Sequence, residues 1–307
     1  LCMPATHSEV DSRLDCCRSD RRRSFSVPYR RLVAPVGHGP MCHHRGGMQD
    51  RYVGDVGDYL KLGLLRWLTN GTPAPRLGVV WYRTPDEAHN ADGKHIAYLR
   101  SDHSTARTLR PLDPDLYDRL SSLVIDGRRT VVDLSEAATL PAATVYFNDR
   151  LDLADLPVGA RVARTERRAV WLARALSATK ECNLIFADPD NGIRSTLHRA
   201  GSHRNRSIKH AYLNELAAFA ANGQSLVVYH HADRSAPTIV QAQMRLSDLA
   251  REAGVEPIAA VRASRGTTRL FLVAAPPVTQ TREVLTRRLH ELEDSSWGHE
   301  LKVSWAN

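Results

Sequence analysis

Cysteine is almost missing from most of this sequence. Four of the five Cys (Cys2, Cys16, Cys17 and Cys42) lie in the first 47 residues, and residues 48–307 carry Cys182 alone. A disulfide framework is thereby excluded for residues 48–307, and a reducing, cytoplasmic setting is the expectation. Lys is scarce too: only five of the 42 basic side chains are Lys, a skew that a GC-rich genome produces without selection. No apolar run approaches the roughly 18 residues of a membrane helix, so no membrane partner is expected. There is no GxxxxGK[ST] phosphate loop either. The letters Asp86-Glu87-Ala88-His89 therefore do not mark an NTPase box.

What is present is unevenly spread. The 307 residues suffice for one large α/β domain or two small ones, and the formal charge is +8. Residues 1–47 hold eight Arg against four acids, a net +4, which leaves +4 for all the rest. This first segment lacks helical and strand periodicity, and RRRSFSVPYRR and APVGHGPMCHHRGG read as disordered. It has no apolar stretch of the secretory type, while its Arg-rich centre fits a transit peptide or a nucleic-acid arm. Cys42, His43 and His44 could ligate a metal, but no second pair sits at zinc spacing. A clean pattern starts at Met48, so residues 1–47 read best as upstream sequence translated from a misassigned start, and residues 48–307 as a single domain.

Tyr52 to Leu68 predicts a helix, with Tyr59, Leu60, Leu64, Leu65 and Leu68 at helical spacing and Asp55 or Asp58 as its cap. Its two Gly-Asp pairs either cap the helix or present free N–H groups that hold an anion. Leu77 to Tyr82 predicts a buried strand. The loop behind it gathers Asp86, Glu87, His89, Asp92 and His95. Such a loop either coordinates a divalent cation or a substrate, or is merely solvated. Further on, Asp113 to Ile125 predicts a helix, Thr130 to Leu134 a strand, and Ala143 to Phe147 a strand ending at Asn148-Asp149. Glu166 to Ala178 predicts an amphipathic helix with Val170, Leu172, Ala173 and Leu176 as its core face.

The richest stretch is Asn183 to Ile193, NLIFADPDNGI. Leu184, Ile185 and Phe186 are too short a run for a helix, and Asp188-Pro189-Asp190-Asn191-Gly192 can only be a loop. Pro189 fixes its own φ and extends Asp188, and Gly192 permits a turn that a Cβ would block. A strand that ends in acids, Pro and Gly is how open α/β sheets present a site, although the same residues make ordinary turns. The basic segment that follows, Ser195 to Lys209 with Arg199, Arg204 and Arg206, suits phosphate contact or simple solvation. Ser225 to Tyr229 predicts a strand that runs into His230-His231, of which at most one can line the site. Tyr212 to Ala221, Pro237 to Ala253 and Thr281 to Leu292 predict helices, and Pro257 to Ala263 and Arg269 to Ala275 two strands in a hairpin. Trp297 and Trp305 are expected to pack the chain end.

Strands alternate with helices until this pair. The expected fold is therefore α/β: a doubly wound, mostly parallel sheet with a C-terminal antiparallel β-hairpin. That order is similar to the class I, Rossmann-like methyltransferase fold. GDVGDYLKLGLL resembles the start of the large-subunit rRNA adenine-N6 methyltransferases of the RlmJ type, and Asp188-Pro189-Asp190-Asn191 resembles their Asp-Pro-Pro-Tyr motif. YHH and RGTTRLFLV resemble the aromatic strand and closing hairpin that follow. Asp190 stands where that family has its second Pro, Asn191 where it has its aromatic, and no Gly-rich turn follows the first strand. The resemblance implies a methyltransferase that uses S-adenosylmethionine on nucleic acid, RNA above all, with Asp188 orienting the target amine. The expected catalytic group is Asp188, Asp190, Asn191 and His230; the expected cofactor-binding group is Asp55, Asp58, Lys61, Asp86, His89 and Asp149. Two alternatives stand beside it. One is a hydrolase or nuclease that holds Mg²⁺ or Mn²⁺ on Asp188 and Asp190 with Asp86, His89, His230 or His231. The other is a nucleic-acid-binding protein without turnover.

Overall fold

The computed structural model describes residues 50–84, 95–194 and 205–306. The expectations for residues 1–47, for Asp86, Glu87, His89 and Asp92, and for Arg199 and Arg204 lie outside the described residues.

The first helix, α1, spans Val56–Thr69, and Asp55 caps it by accepting from the Asp58 N–H. The chain then forms β1 (Leu77–Trp81), the short helix α2 (Ala106–Leu109), α3 (Pro114–Ile125), α4 (Val131–Glu136) and β2 (Val145–Phe147). Next come α5 (Arg161–Ala178), β3 (Leu184–Asp188) and a small ribbon of β4 (Ile193–Arg194) and β5 (Ala211–Tyr212). The chain continues with α6 (Leu213–Ala221), β6 (Ser225–His231), α7 (Thr238–Ala253), β7 (Glu256–Ala263), β8 (Arg269–Ala275), α8 (Gln280–Asp294) and β9 (Leu301–Trp305).

The fold is mixed α/β. Seven strands form one sheet in the order β2-β1-β3-β6-β8-β7-β9. The first four are mutually parallel. β8 is antiparallel to both β6 and β7, and β9 is antiparallel to β7. Buried side chains alternate along the strands into two sets. Val79, Trp81, Leu184, Phe186, Val227 and Phe271 pack with α1, α3 and α8. Val80, Ile185, Ala187, Val228 and Leu272 pack with α5, α6 and α7. From β1 the chain passes outward to β2 and then returns to β3 on the other side of β1, so strand order reverses between β1 and β3. In open α/β sheets that crevice, at the carboxyl ends of the strands, is where ligands bind.

Three elements differ from their sequence expectations. Residues 130–134 are not a strand: Val131–Glu136 is a helix. Thr130 Oγ1 accepts from the Asp133 N–H at 3.1 Å, and Asp133 Oδ2 accepts from the Thr130 N–H at 2.9 Å. This reciprocal cap outweighs the strand preference of Thr-Val-Val. The buried stripe of α5 is Arg164, Arg168, Trp171 and Ala175, while Val170 is 60% exposed. Two Arg on the inner face shift the stripe away from the apolar positions. Finally, Leu301–Trp305 adds an edge strand that pairs with β7.

Candidate functional site

The first turns of α1 lie over the reversal between β1 and β3 and bring charges into the apolar layer. Lys61 Nζ lies 2.7 Å from Asp58 Oδ1 and 2.9 Å from Asp188 Oδ2, and all three residues are buried. The spacing from Asp58 to Lys61 is one helical turn, so both face the sheet together. Asp188 is the last residue of β3 and pairs in register with Trp81, the last of β1. Lys61 Nζ sits 4.9 Å from the centre of the Trp81 ring, a cation–π contact. Asp58 Oδ2 also accepts from the Gly54 N–H at 3.3 Å.

Asp55 and Arg269 extend the cluster. Arg269 Nη2 lies 3.8 Å from Asp55 Oδ2, and its Nη1 donates to the Arg265 and Thr267 carbonyls at 2.9 and 3.0 Å. Gly57 makes this possible, since a Cβ there would stand 2.3 Å from Arg269 Nη2. On β6, one register step beyond the Ala187–Val228 pair, Tyr229 is the neighbour of Asp188 on the same face. Trp81, Asp188 and Tyr229 thus form a row across three adjacent strands beneath α1.

The electrostatics of this row follow from burial. Burial pushes the Asp188 carboxyl up to about 6, against the pull of Lys61, and the Asp58 and Asp190 charges push the same way. Burial and then the Asp58 charge raise Asp55 as well. For Lys61, burial disfavours the ammonium, but Asp188 and Asp58 outweigh it and its pKa rises. Burial raises the Tyr229 phenol. Lys61 therefore stays charged, and Asp188 takes a proton more readily than an ordinary carboxylate.

Several buried polar atoms beside this cluster have no hydrogen-bond partner among the described residues. They are Trp81 Nε1, Arg83 Nε and Thr84 Oγ1 at the end of β1, and Asn148 Oδ1 at the end of β2. Each such group, left unpaired, costs about 1–3 kcal/mol, so a cluster of them marks a place built to be satisfied by something else.

The structure draws together Asp55, Asp58, Lys61 and Asp188 from the expected residues. Among the other described ones, Asp190 stays close enough for its charge to raise Asp188, while Asn191, His230 and Asp149 stand apart. Asp190 pairs with Lys209 at 3.2 Å, and the Asn191 N–H donates to the Lys209 carbonyl at 2.8 Å. His230 turns to the opposite face, where its Nδ1 accepts from the Ile193 N–H at 3.1 Å. Asp149 pairs with Arg174 of α5 at 2.6 Å. Three N–H groups at the start of α1 are already taken: Gly54, Val56 and Asp58 donate to Asp58, His95 and Asp55. Trp81, Tyr229 and Arg269 were missed. Strand alternation could have found Tyr229, two residues ahead of His231 and opposite in phase to His230. No sequence signal aims Arg269 at Asp55.

Among the described residues, no group of three His, Cys, Asp or Glu side chains could hold a metal ion. No helix among them is long and apolar enough to cross a membrane. No protein-family model matches the chain, and no curated protein or solved structure matches it significantly.

Proposed function

We propose that this protein transfers a methyl group from S-adenosylmethionine to nucleic acid, RNA above all, on a doubly wound sheet closed by the β7–β8 hairpin. The observation that carries this reading is the buried Asp58–Lys61–Asp188 unit at the strand reversal, with unpartnered polar atoms at the adjoining ends of β1 and β2. The donor set fits the cofactor. Trp81 Nε1–H and Arg83 Nε–H suit a carboxylate, Asn148 Oδ1 accepts from a hydroxyl or amine, and Thr84 Oγ1 does either. When bound, S-adenosylmethionine supplies an electrophilic methyl group.

The chain's own residues do the rest. Asp188, held in place by Lys61, accepts a hydrogen bond from the target amine and orients its lone pair. A carboxyl raised to about 6 is ionised at neutral pH yet close enough to take up the amine's proton. Lys61 keeps Asp188 charged while it is out of water, and Asp58 keeps Lys61 in position. Tyr229 offers an aromatic edge beside Asp188, on the strand next to the loop where Asn191 leaves none.

The metal-dependent hydrolase has less support. Asp188 and Asp190 each already face an ammonium, Lys61 and Lys209. A divalent ion at either would have to displace it.

The test is transfer of labelled methyl from S-adenosylmethionine to RNA by the full chain. Labelled RNA that disappears in Asp188→Ala supports the reading. RNA bound by the wild type without any labelled product would instead favour a binding protein without turnover.

A further inference from the structure

The opposite face of the sheet carries a second group of polar residues at the same strand ends, and nothing in the proposed reaction uses it. It is built on the β4–β5 ribbon. Ile193 pairs with Ala211 and Arg194 with Tyr212. Ile193 and Ala211 join the apolar layer under α5, α6 and α7. By alternation, His210, Arg194 and Tyr212 occupy the other face of the ribbon. His230 reaches the ribbon from β6, with Gly192 packed so tightly on it that a Cβ would lie 2.3 Å from His230 Nδ1.

Donor geometry gives this group a direction. His230 Nδ1 accepts from the Ile193 N–H, so in the neutral ring the proton sits on Nε2, a donor with no partner among the described residues. His210 Nδ1 is buried without a partner among the described residues. Arg194 is half-buried and, among the described residues, makes no ion pair or hydrogen bond. Arg245 of α7 flanks the group and pairs with Asp248 at 3.0 Å. Asp248 is also taken by Arg251. Of the other acids nearby, Asp233 accepts from the Ser235 N–H at 2.8 Å, Glu215 pairs with Arg168 and Asp190 with Lys209. Cationic surroundings are apparent in the imidazoles. Burial first, then Arg194, lowers His210 to about 4, and burial first, then Arg245, lowers His230 to about 4.

We propose that Arg194, His210 and His230 form a binding site for one backbone phosphate of RNA. A guanidinium fork with no carboxylate partner among the described residues is suited to bidentate phosphate contact. The neutral His230 ring adds its Nε2–H without the cost of burying more charge, and His210, whose ring donates to the Gly192 backbone, lines the site beside it. The site lies across the sheet from Asp188 but at the same edge, so a strand bound here is anchored beside the proposed catalytic row. Such a contact positions the chain without reading sequence. The inference rests on the nucleic-acid half of the proposed function.

The test is fluorescence anisotropy of a labelled RNA oligonucleotide with the full chain, from ~50 to ~200 mM salt. Arg194→Ala is expected to weaken binding and to reduce the slope of log affinity against log salt by about one. His210→Gln weakens binding with the slope kept. Arg251→Ala, on the exposed side of α7, serves as the surface control and keeps the wild-type slope. An unchanged slope and affinity in Arg194→Ala overturn the site while leaving methyl transfer standing. Absence of RNA binding by the wild type overturns the site together with the nucleic-acid half of the proposed function. Calorimetric binding of S-adenosylmethionine then tells whether the cofactor half survives.

Discussion

Two ion clusters are buried in this protein, one on each face of the sheet, and they are finished to different degrees. On the face of α5 and α6, Arg168 donates to both Glu215 oxygens at 2.5 and 2.9 Å and to the Ser207 and His210 carbonyls at 3.1 and 2.6 Å. Glu215 also accepts from the Tyr212 N–H at 3.0 Å and the Tyr82 hydroxyl at 3.4 Å, and the guanidinium lies 4.5 Å from the centre of the Tyr212 ring. The Arg168–Glu215 pair itself is satisfied within the chain and fastens α5, α6 and the β5 segment together, although His210 Nδ1 beside it has no partner among the described residues. On the α1 face, three carboxylates share Lys61 and a distant contact to Arg269, and unpartnered donors stand next to them. A completed cluster is structural. The incomplete one, held in place by a rigid helix and a strand end, is the one the proposed function uses.

The largest effect should come from breaking the completed pair. Arg168→Met leaves Glu215 buried without its cation, which costs about 3–5 kcal/mol. Thermal unfolding should then show a midpoint lowered by roughly 10 °C. A midpoint within a degree of the wild type would remove the structural role assigned to this pair.

Asp188 sharpens the contrast through pH. Its folded pKa, about 6, lies above the ordinary 3.8. The folded state therefore binds the proton more tightly than the unfolded state, and its stability falls as pH rises from about 4 to about 6. The loss is on the order of 3 kcal/mol across that window. Asp188→Asn, which resembles the protonated carboxyl, should flatten this part of the stability–pH curve in denaturant titrations, lose methyl transfer, and raise stability at neutral pH by up to about 3 kcal/mol. A curve with the wild-type slope would deny that Asp188 carries the strain.

Gly192 lies on the loop between Asp188 and the second face, at φ +86°. Gly192→Ala strains the backbone and meets His230, a loss of about 1–3 kcal/mol by chemical unfolding. The smallest change in stability belongs to Tyr229→Phe, within about 1 kcal/mol. Methyl transfer should be kept, because Phe preserves the aromatic edge beside Asp188 and the lost hydroxyl reaches only His231 among the described residues. A loss of activity at equal stability would contradict the aromatic-edge role given to Tyr229.

Much of the fold was legible because strand and helix periodicities are strong here. β1, β3, α1, α3 and α7 lie within a few residues of their expected positions. The Thr130 cap was missed because β-branched residues occupy its first turn. The α5 face was misread because burial was sought in Val170 and Ala173, whereas Arg164 and Arg168 are buried and satisfied by carbonyls and Glu215. In the site, the α1 charges and Asp188 could be singled out by their motifs, but the Lys61 bridge between them joins residues 127 positions apart. Only the sheet order brings them together. Of the His230-His231 pair at most one can line the site, and strand phase turns His230 to the opposite face and leaves Tyr229 beside Asp188.

The central claim is that the incomplete cluster is a cofactor site. The direct measurement is the thermal midpoint of the full chain with S-adenosylmethionine, S-adenosylhomocysteine, Mg²⁺ and Mn²⁺ in parallel, because a ligand that binds only the folded state raises it by mass action. The account predicts a rise with the two sulfur compounds that is lost in Asn148→Ala, and none with the metals. A rise with Mg²⁺ or Mn²⁺ alone would contradict it and return Asp188 and Asp190 to the hydrolase.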